Sequence, residues 1–378
     1  MASSPTSTKR LTAAFALLVL ASCAANFAAA RSEAPAASVN DDTAMRARFE
    51  RWASKHGRTY TNATEKARRY EAFKVNAEFI DSHNAAVGDK GKSHPRLGTN
   101  KFSDLTDEEF ESMYVGGLKK RFKGSIPGFM YGDLTGVPPS VDWRARGAVT
   151  GVKDQGDSCA SCWAFSAVAA VEGIHQIRTG NLVSLSEQQL LDCSTGVKNR
   201  GCNQGDMEEA FLYIAGKGDR PRTGSLAPIN GTFWRGGIAA ESAYPYQAAQ
   251  RNCSASGKEV VATIRGFQYV PANNETALRL AVAHQPVSVA LDGKDKAFRN
   301  YKGGIYGLGG KTACKVSLNH AVTAVGYGTD EHGNKYWLMK NSWGTGWGEG
   351  GYVRIARDVA SDAGLCGLAV QASYPVVS

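Results

Sequence analysis

The sequence predicts an α+β chain whose body is a helical half packed on a strand-rich half, preceded by a further helical segment. Three observations carry this. Apolar residues recur at helical spacing over residues 44–85 and again over 163–214. From about residue 260 the period drops to two, at 287–291, 321–327, 336–340 and 352–355, with Gly, Asp and Asn in the turns between. Helices first and strands later give two packed layers, and the cleft between such halves is a natural place for a site. At 378 residues and 43% hydrophobic content, the chain is long enough for two or three domains.

Residues 1–30 read as a secretory signal peptide: Lys9 and Arg10, an apolar core over 11–25, then Ala28, Ala29 and Ala30 as a small-residue cleavage region. Leu20-Ala21-Ser22-Cys23 also fits a bacterial lipoprotein box, the minor reading. The apolar core is too short for a membrane span, and no later segment reaches the roughly 18–20 apolar residues one needs. Losing Cys23 with the signal leaves seven of the eight cysteines. An odd count in an oxidising compartment means three disulfides and one free thiol, or an intermolecular bridge. The formal charge of +9 is spread without any Lys/Arg block interleaved with aromatics, which argues against nucleic acid as a partner.

Residues 31–43 have the composition of a polar linker. A helix is expected over 44–55 with Phe49 and Trp52 on one face, and a second over 65–85. Along the second, Glu65, Arg69, Phe73, Asn76, Ile80 and Asn84 fall on one stripe that mixes charge, amide and apolar groups, as a docking face would. Glu65 and Arg69 are spaced to pair across one turn. Gly98, Asn100, Phe102 and Asp104 alternate as in a short strand, and residues 112–136 read as an exposed, cleavable connector.

The stretch from Gln155 to Ser166 places a glycine and small polar residues before an apolar helical run, so a cysteine there sits at a helix N-terminus, where unpaired N–H groups favour a thiolate. Cys159 and Cys162 taken alone fit a disulfide, half a zinc site, a redox C-x-x-C or a nucleophile. A long helix follows over 163–179. Ser186-Glu187-Gln188-Gln189 fits a capping box opening a second, and 206–216 reads as a third. A cysteine nucleophile needs an acid/base partner and a group to orient it. Of the four histidines after residue 137, His175 lies more than three turns along the cysteine's own helix. His332 falls in a hairpin turn, and His284 precedes Pro286 and a buried strand. His320 heads an apolar strand, and Asn341 ends another just before Ser342 and Trp343; its side-chain oxygen can accept from an imidazole, with Trp343 as a shield.

The helical stripe, the Gly98–Asp104 pattern and the Cys162, His320 and Asn341 set together resemble the papain family of cysteine proteases, specifically cathepsin L-like zymogens of plant type. The likeness extends over nearly everything after the signal. It implies a papain-like two-domain fold, with an inhibitory propeptide at 31–136, a peptidase domain at 137–378 and processing near Gly136. It implies a cysteine endopeptidase working through an acyl-thioenzyme, with Cys162 as nucleophile, His320 as acid/base partner, Asn341 as orienting group and Gln155 in the oxyanion hole. The remaining cysteines would pair as Cys159–Cys202, Cys193–Cys253 and Cys314–Cys366, which leaves no room for the redox reading. Gly205, Met207, Ala290 and Ala321, with Gln371, match substrate-pocket positions. Protein and peptide substrates, the chain's own propeptide and cystatin-like inhibitors are the implied partners of a monomer that needs no metal or organic cofactor. The implied location is the secretory pathway, ending outside the cell or in a vacuole or lysosome.

Several positions depart from the family pattern. One residue, Asp157 or a neighbour, is inserted between Gln155 and Cys159, which is expected to displace the Gln155 amide and oppose thiolate formation. Ala160 stands where glycine is usual, with strain expected if the turn needs positive φ. Gln204 and Asp206 replace a glycine and an apolar residue after Cys202-Asn203; Gln204 is expected to narrow the cleft floor, and Asp206 to favour basic substrate side chains. Residues 218–235 form an extra segment, a true insertion or a gene-model artefact. The alternative function is therefore a catalytically impaired papain-fold protein that binds peptides or inhibitors. Sequons at Asn62, Asn230, Asn252 and Asn274 permit glycosylation.

Overall fold

The computed structural model describes residues 1, 36–88, 91–115, 118, 128–195, 199–217, 236–309 and 312–377. The signal peptide, Asn230 and the extra segment 218–235 lie outside them. The chain separates into two compact units, divided after Thr59.

The first unit holds helix α1, Ala36–Lys55. It begins well before residue 44, so most of the expected linker is helical. Ala36 and Ala37 are good helix formers, and Asp42 accepts from Arg46 one turn on at 2.8 Å. Phe49 and Trp52 stack within it, 6.0 Å apart.

The second unit opens with α2, Ala63–Val87, capped by Asn62, whose side chain accepts from the Glu65 N–H at 2.9 Å. The stripe is a docking face, but its charges pair outward. Glu65 takes the Thr61 N–H (2.8 Å), while Arg69 reaches Glu109 Oε2 (2.7 Å) and the Asp104 carbonyl (3.1 Å). Asn76 Nδ2 donates to the Ser103 and Leu105 carbonyls, and Asn84 exchanges two bonds with the Leu97 backbone. The strand expected from Gly98 to Asp104 is a turn instead. Asn100 Oδ1 accepts from the Phe102 N–H, and Ser103 Oγ accepts from the Asn100 N–H. These local side-chain bonds compete successfully with a sheet ladder. The strand is the preceding pair, β1 (Arg96–Leu97). Helix α3, Asp107–Tyr114, starts with a full capping box between Thr106 and Glu109 that sequence reading missed.

The helical half of the body consists of α4 (Cys162–Thr179), α5 (Glu187–Cys193) and α6 (Met207–Ile214) around one apolar core. Ser186 caps α5 through the Gln189 N–H, but the return bond of a capping box is not made, because Gln189 Oε1 takes the Ala239 N–H. The other half holds β2 (Val141–Asp142), β3 (Gly266–Tyr269), α7 (Glu275–His284), β4 (Val287–Leu291), α8 (Lys296–Arg299), β5 (Tyr301–Gly303), β6 (Ile305–Tyr306), β7 (His320–Thr329), β8 (Lys335–Lys340), β9 (Tyr352–Ala356) and β10 (Ala372–Val376). Its eight-stranded sheet runs β3-β10-β4-β7-β8-β9-β6, with β2 also on β7. The β4–β7–β8 centre is antiparallel, aligning Leu291 with His320 and Thr323 with Lys340. Gly326 admits β2, since a Cβ there would lie 2.2 Å from the Val141 carbonyl.

Two features tie these parts together. Lys153 Nζ is held by Glu187 Oε1 (2.7 Å), Glu172 Oε1 (3.1 Å) and the Leu185 carbonyl (2.9 Å), and Lys340 of β8 donates to Thr150 Oγ1 at 2.8 Å beside it. Further round, Phe129 and Tyr131 of the connector pack on Tyr374. Tyr131 stacks on His284 (4.5 Å) and donates to Gln285 Oε1 at 3.0 Å.

Candidate active site

Cys162 is the first residue of α4, so the helix's unpaired N–H groups converge on it. It is buried, and it is the free cysteine among the described residues. The structure joins Cys159 to Cys202, Cys193 to Cys253 and Cys314 to Cys366. Backbone N–H groups of Ala321, Trp163 and Cys162 itself favour the charged sulfur. Burial outweighs them and pushes the thiol up to about 11.

His320, at the head of β7, is equally buried. Its Nε2 lies 2.8 Å from Asn341 Oδ1, which also accepts from the Ser342 N–H at 2.8 Å. An amide oxygen anchored in this way selects the tautomer that carries its proton on Nε2. Nδ1 is left as an acceptor and meets no hydrogen-bond partner among the described residues. The Trp343 indole stacks on the imidazole at 4.6 Å and 29°, keeping water off the His320–Asn341 bond. Burial lowers His320 to about 4 against the raising effect of the Asn341 bond. Thiol and imidazole are therefore both neutral in this covered state.

Gln155 is buried and bonded to Ser342. Its backbone N–H donates to the Ser342 carbonyl (2.8 Å) and its Oε1 accepts from Ser342 Oγ (2.8 Å), which aims Nε2 toward the Cys159 carbonyl (3.2 Å) and the Tyr114 carbonyl (3.5 Å). After it, Gly156 adopts φ +74°, and Asp157 and Ser158 are exposed. Ala160 avoids the left-handed region, so the expected strain is absent. Asp206 is buried and serves as the N-cap of α6, accepting from the Glu208 and Glu209 N–H groups, so it is not presented to a substrate as expected. Beside it, burial and the Asp206 carboxylate hold Glu208 well above the usual carboxylate range, and Gln371 Nε2 donates to Glu208 Oε2 at 3.0 Å.

Gly205 lies against the Trp163 ring, 2.3 Å from where a Cβ would stand, so no side chain fits there. Met207, Ala290 and Ala321 share the helical-half core, with Ala290 and Ala321 paired across β4 and β7. Asn62, Asn252 and Asn274 are exposed; Asn62 and Asn274 also cap α2 and α7 through their side-chain oxygens.

The segment from β1 to Val115 covers this site. β1 pairs with β5, and Gly98 N–H donates to the Asn300 carbonyl at 2.9 Å. Buried Arg299 binds Asn76 Oδ1 (2.6 Å), the Thr106 carbonyl (3.2 Å) and Asp107 (2.8 Å). Phe102, Phe110 and Tyr114 surround Trp343 edge-on at 5.3 to 6.4 Å. The space above Gly293 is shared by His320 and Val115, 2.8 and 3.0 Å from its ideal Cβ. Among the described residues there is no group of three or more His, Cys, Asp or Glu that could hold a metal, and no helix long and apolar enough to cross a membrane.

A thiol at a helix N-terminus, an oriented imidazole and a covering segment define a cysteine protease held in its proform. Residues 137–376 match the papain family cysteine protease model, and residues 49–110 match the cathepsin propeptide inhibitor domain. The chain belongs to the papain family of cysteine proteases. It is similar to the senescence-specific cysteine protease SAG39 of Oryza sativa subsp. japonica, at 46% identity over 89% of this chain and 92% of that one. It is 48% identical to cysteine proteinase EP-B 1 of Hordeum vulgare over 87% of this chain and 83% of that one. Among solved structures, a recombinant stem bromelain precursor superposes with a TM-score of 0.74 at 41% identity, covering 88% of this chain and 99% of that chain. The proform of the ragweed pollen allergen Amb a 11 gives 0.75 at 37% identity, covering 92% and 98%. The chain is thus a cysteine-type endopeptidase of α+β, papain-like fold, made as a proform, with protein substrates and its own propeptide as inhibitor.

Proposed function

We propose that Cys162 attacks the scissile carbonyl, that His320 takes its proton through Nδ1 and returns it to the leaving amine, and that Asn341 holds the imidazole for both steps. The single observation carrying this is the Nε2–Oδ1 bond of 2.8 Å that leaves Nδ1 unpartnered. The attack forms a C–S bond and a tetrahedral oxyanion, which the Gln155 Nε2 and Cys162 N–H groups stabilise. Collapse expels the amine and leaves a thioester, and a water deprotonated by His320 hydrolyses it. Because the chain's relatives are cysteine proteases and endopeptidases, the impaired, binding-only reading has less support.

The same reading makes 31–136 the inhibitory propeptide and 137–378 the peptidase, with release near Gly136. Gly205, Met207, Ala290 and Ala321 then form the floor and wall of the substrate pocket. The apolar leader at 1–30 and three disulfides support passage through the secretory pathway to the cell exterior, a vacuole or a lysosome. We place the enzyme there as a monomer open to cystatin-like inhibitors, with Asn62, Asn230, Asn252 and Asn274 open to glycosylation.

Full-length protein processed at acid pH and assayed on peptide amides, with Cys162→Ala as control, tests the assignment. Cleavage by the wild type alone is expected. Equal inactivity of two well-folded proteins would refute it.

A further inference from the structure

We infer that Asp157, in the lengthened stretch between Gln155 and Cys159, is a specificity residue that selects a tyrosine immediately after the scissile bond. The inference rests on the cysteine-endopeptidase reading of Cys162 and His320.

The insertion is a braced structure. Gly156 donates to Asp154 Oδ1 at 2.9 Å, and Ser158 Oγ donates to the Ala248 carbonyl at 3.1 Å. Between these two bonds Asp157 is exposed, while Gln155 is buried.

The covering segment already contains a side chain that reads this carboxylate. The Tyr114 hydroxyl donates to Asp157 Oδ1, while the carbonyl of the same residue lies 3.5 Å from Gln155 Nε2. Tyr114 therefore presents its carbonyl to the proposed oxyanion donor and its phenol to the insertion. Its ring fills the space between, edge-on to Phe102 (4.6 Å) and Trp343 (6.4 Å).

The side of the scissile bond follows from the proton's route. His320 must deliver a proton to the departing amine, and His320 stacks on Trp343. The residue following the scissile bond consequently leaves on the Trp343 side, where the Tyr114 ring lies. A substrate tyrosine there reaches Asp157 as Tyr114 does, whereas phenylalanine sets an apolar ring edge against a carboxylate. Asp157 is exposed, so solvent weakens the bond, and the discrimination expected is about five- to tenfold rather than the larger effect of a buried charge-assisted pair.

The test uses processed enzyme and peptides identical except for Tyr or Phe immediately after the cleaved bond, with the cut position fixed by product mass. Wild type is expected to show a kcat/KM ratio, Tyr over Phe, of about five to ten, and Asp157→Ala a ratio near one. A wild-type ratio within twofold of one overturns the inference, even if the variant fails to fold. A ratio that survives Asp157→Ala also overturns it. If wild type cleaves neither peptide, binding to the Cys162→Ala protein decides. Preferential binding of the tyrosine peptide would then support Asp157 while the catalytic reading falls, and equal binding would sink both.

Discussion

Acidification should open the covered site, and His320 sets a measurable share of that effect. Burial holds His320 at about 4, below its ordinary value of 6.5, and lifting the covering segment relieves part of that burial, with full relief as the upper bound. Above pH 6.5 both states carry a neutral imidazole and the group is indifferent to opening. As pH falls from 6.5 toward 4, the open state binds a proton that the closed state refuses, so closure is progressively disfavoured and the effect levels off below about 4. The ceiling of this coupling is about 3.4 kcal/mol, or roughly 300-fold in the opening equilibrium. Hydrogen exchange of residues 93–115 in the full-length Cys162→Ala protein, corrected for intrinsic rates at pH 7, 5.5 and 4, reads that equilibrium. Adding His320→Gln removes the proton site while carboxylates elsewhere titrate as before. The difference between the two proteins should reach 10- to 100-fold at pH 4 and vanish at pH 7. Identical pH profiles would refute the argument.

Two further substitutions probe other parts of the molecule. Gln155→Ala should lower kcat by about 10²- to 10³-fold with a much smaller change in KM, because an oxyanion donor acts mainly in the transition state; steady-state kinetics on a peptide amide would show it. Lys153→Met strands Glu187 in the interior without its cation and leaves Glu172 only the more distant Lys340 Nζ at 4.0 Å, and urea unfolding should register a loss of about 3–5 kcal/mol.

Much of this was legible in the sequence because it depended on local pattern. The apolar periods located α4, α6, β4, β7, β8 and β9 to within a residue or two, and the helix-start chemistry marked Cys162. What was not legible depended on competition between neighbours. Asn100 and Ser103 turned an alternating pattern into a turn, through bonds that a period of two does not encode. Asp206 read as a substrate-facing charge although Glu209, three residues on and ahead of an apolar run, marks it as a helix cap, the role its carboxylate takes. The Gln155 amide was expected to shift by the length of an inserted residue. The bond that holds the amide comes from Ser342, distant in sequence, and no pattern around Gln155 encodes it.

The anchorage of Phe129 and Tyr131 on Tyr374 and His284 bears on how the enzyme is switched on. While the connector is whole, the covering segment is tethered and competes for the cleft at an effective concentration of about millimolar, whatever the protein concentration outside. A cut near Gly136 turns the covering segment, with Phe129 and Tyr131 still on it, into a separate molecule held only by such contacts. Rebinding then depends on how much of it the surroundings contain. Activation becomes a matter of dilution: a crowded compartment keeps the cleaved enzyme quiet, and spilling the same mixture into a larger volume lets it work.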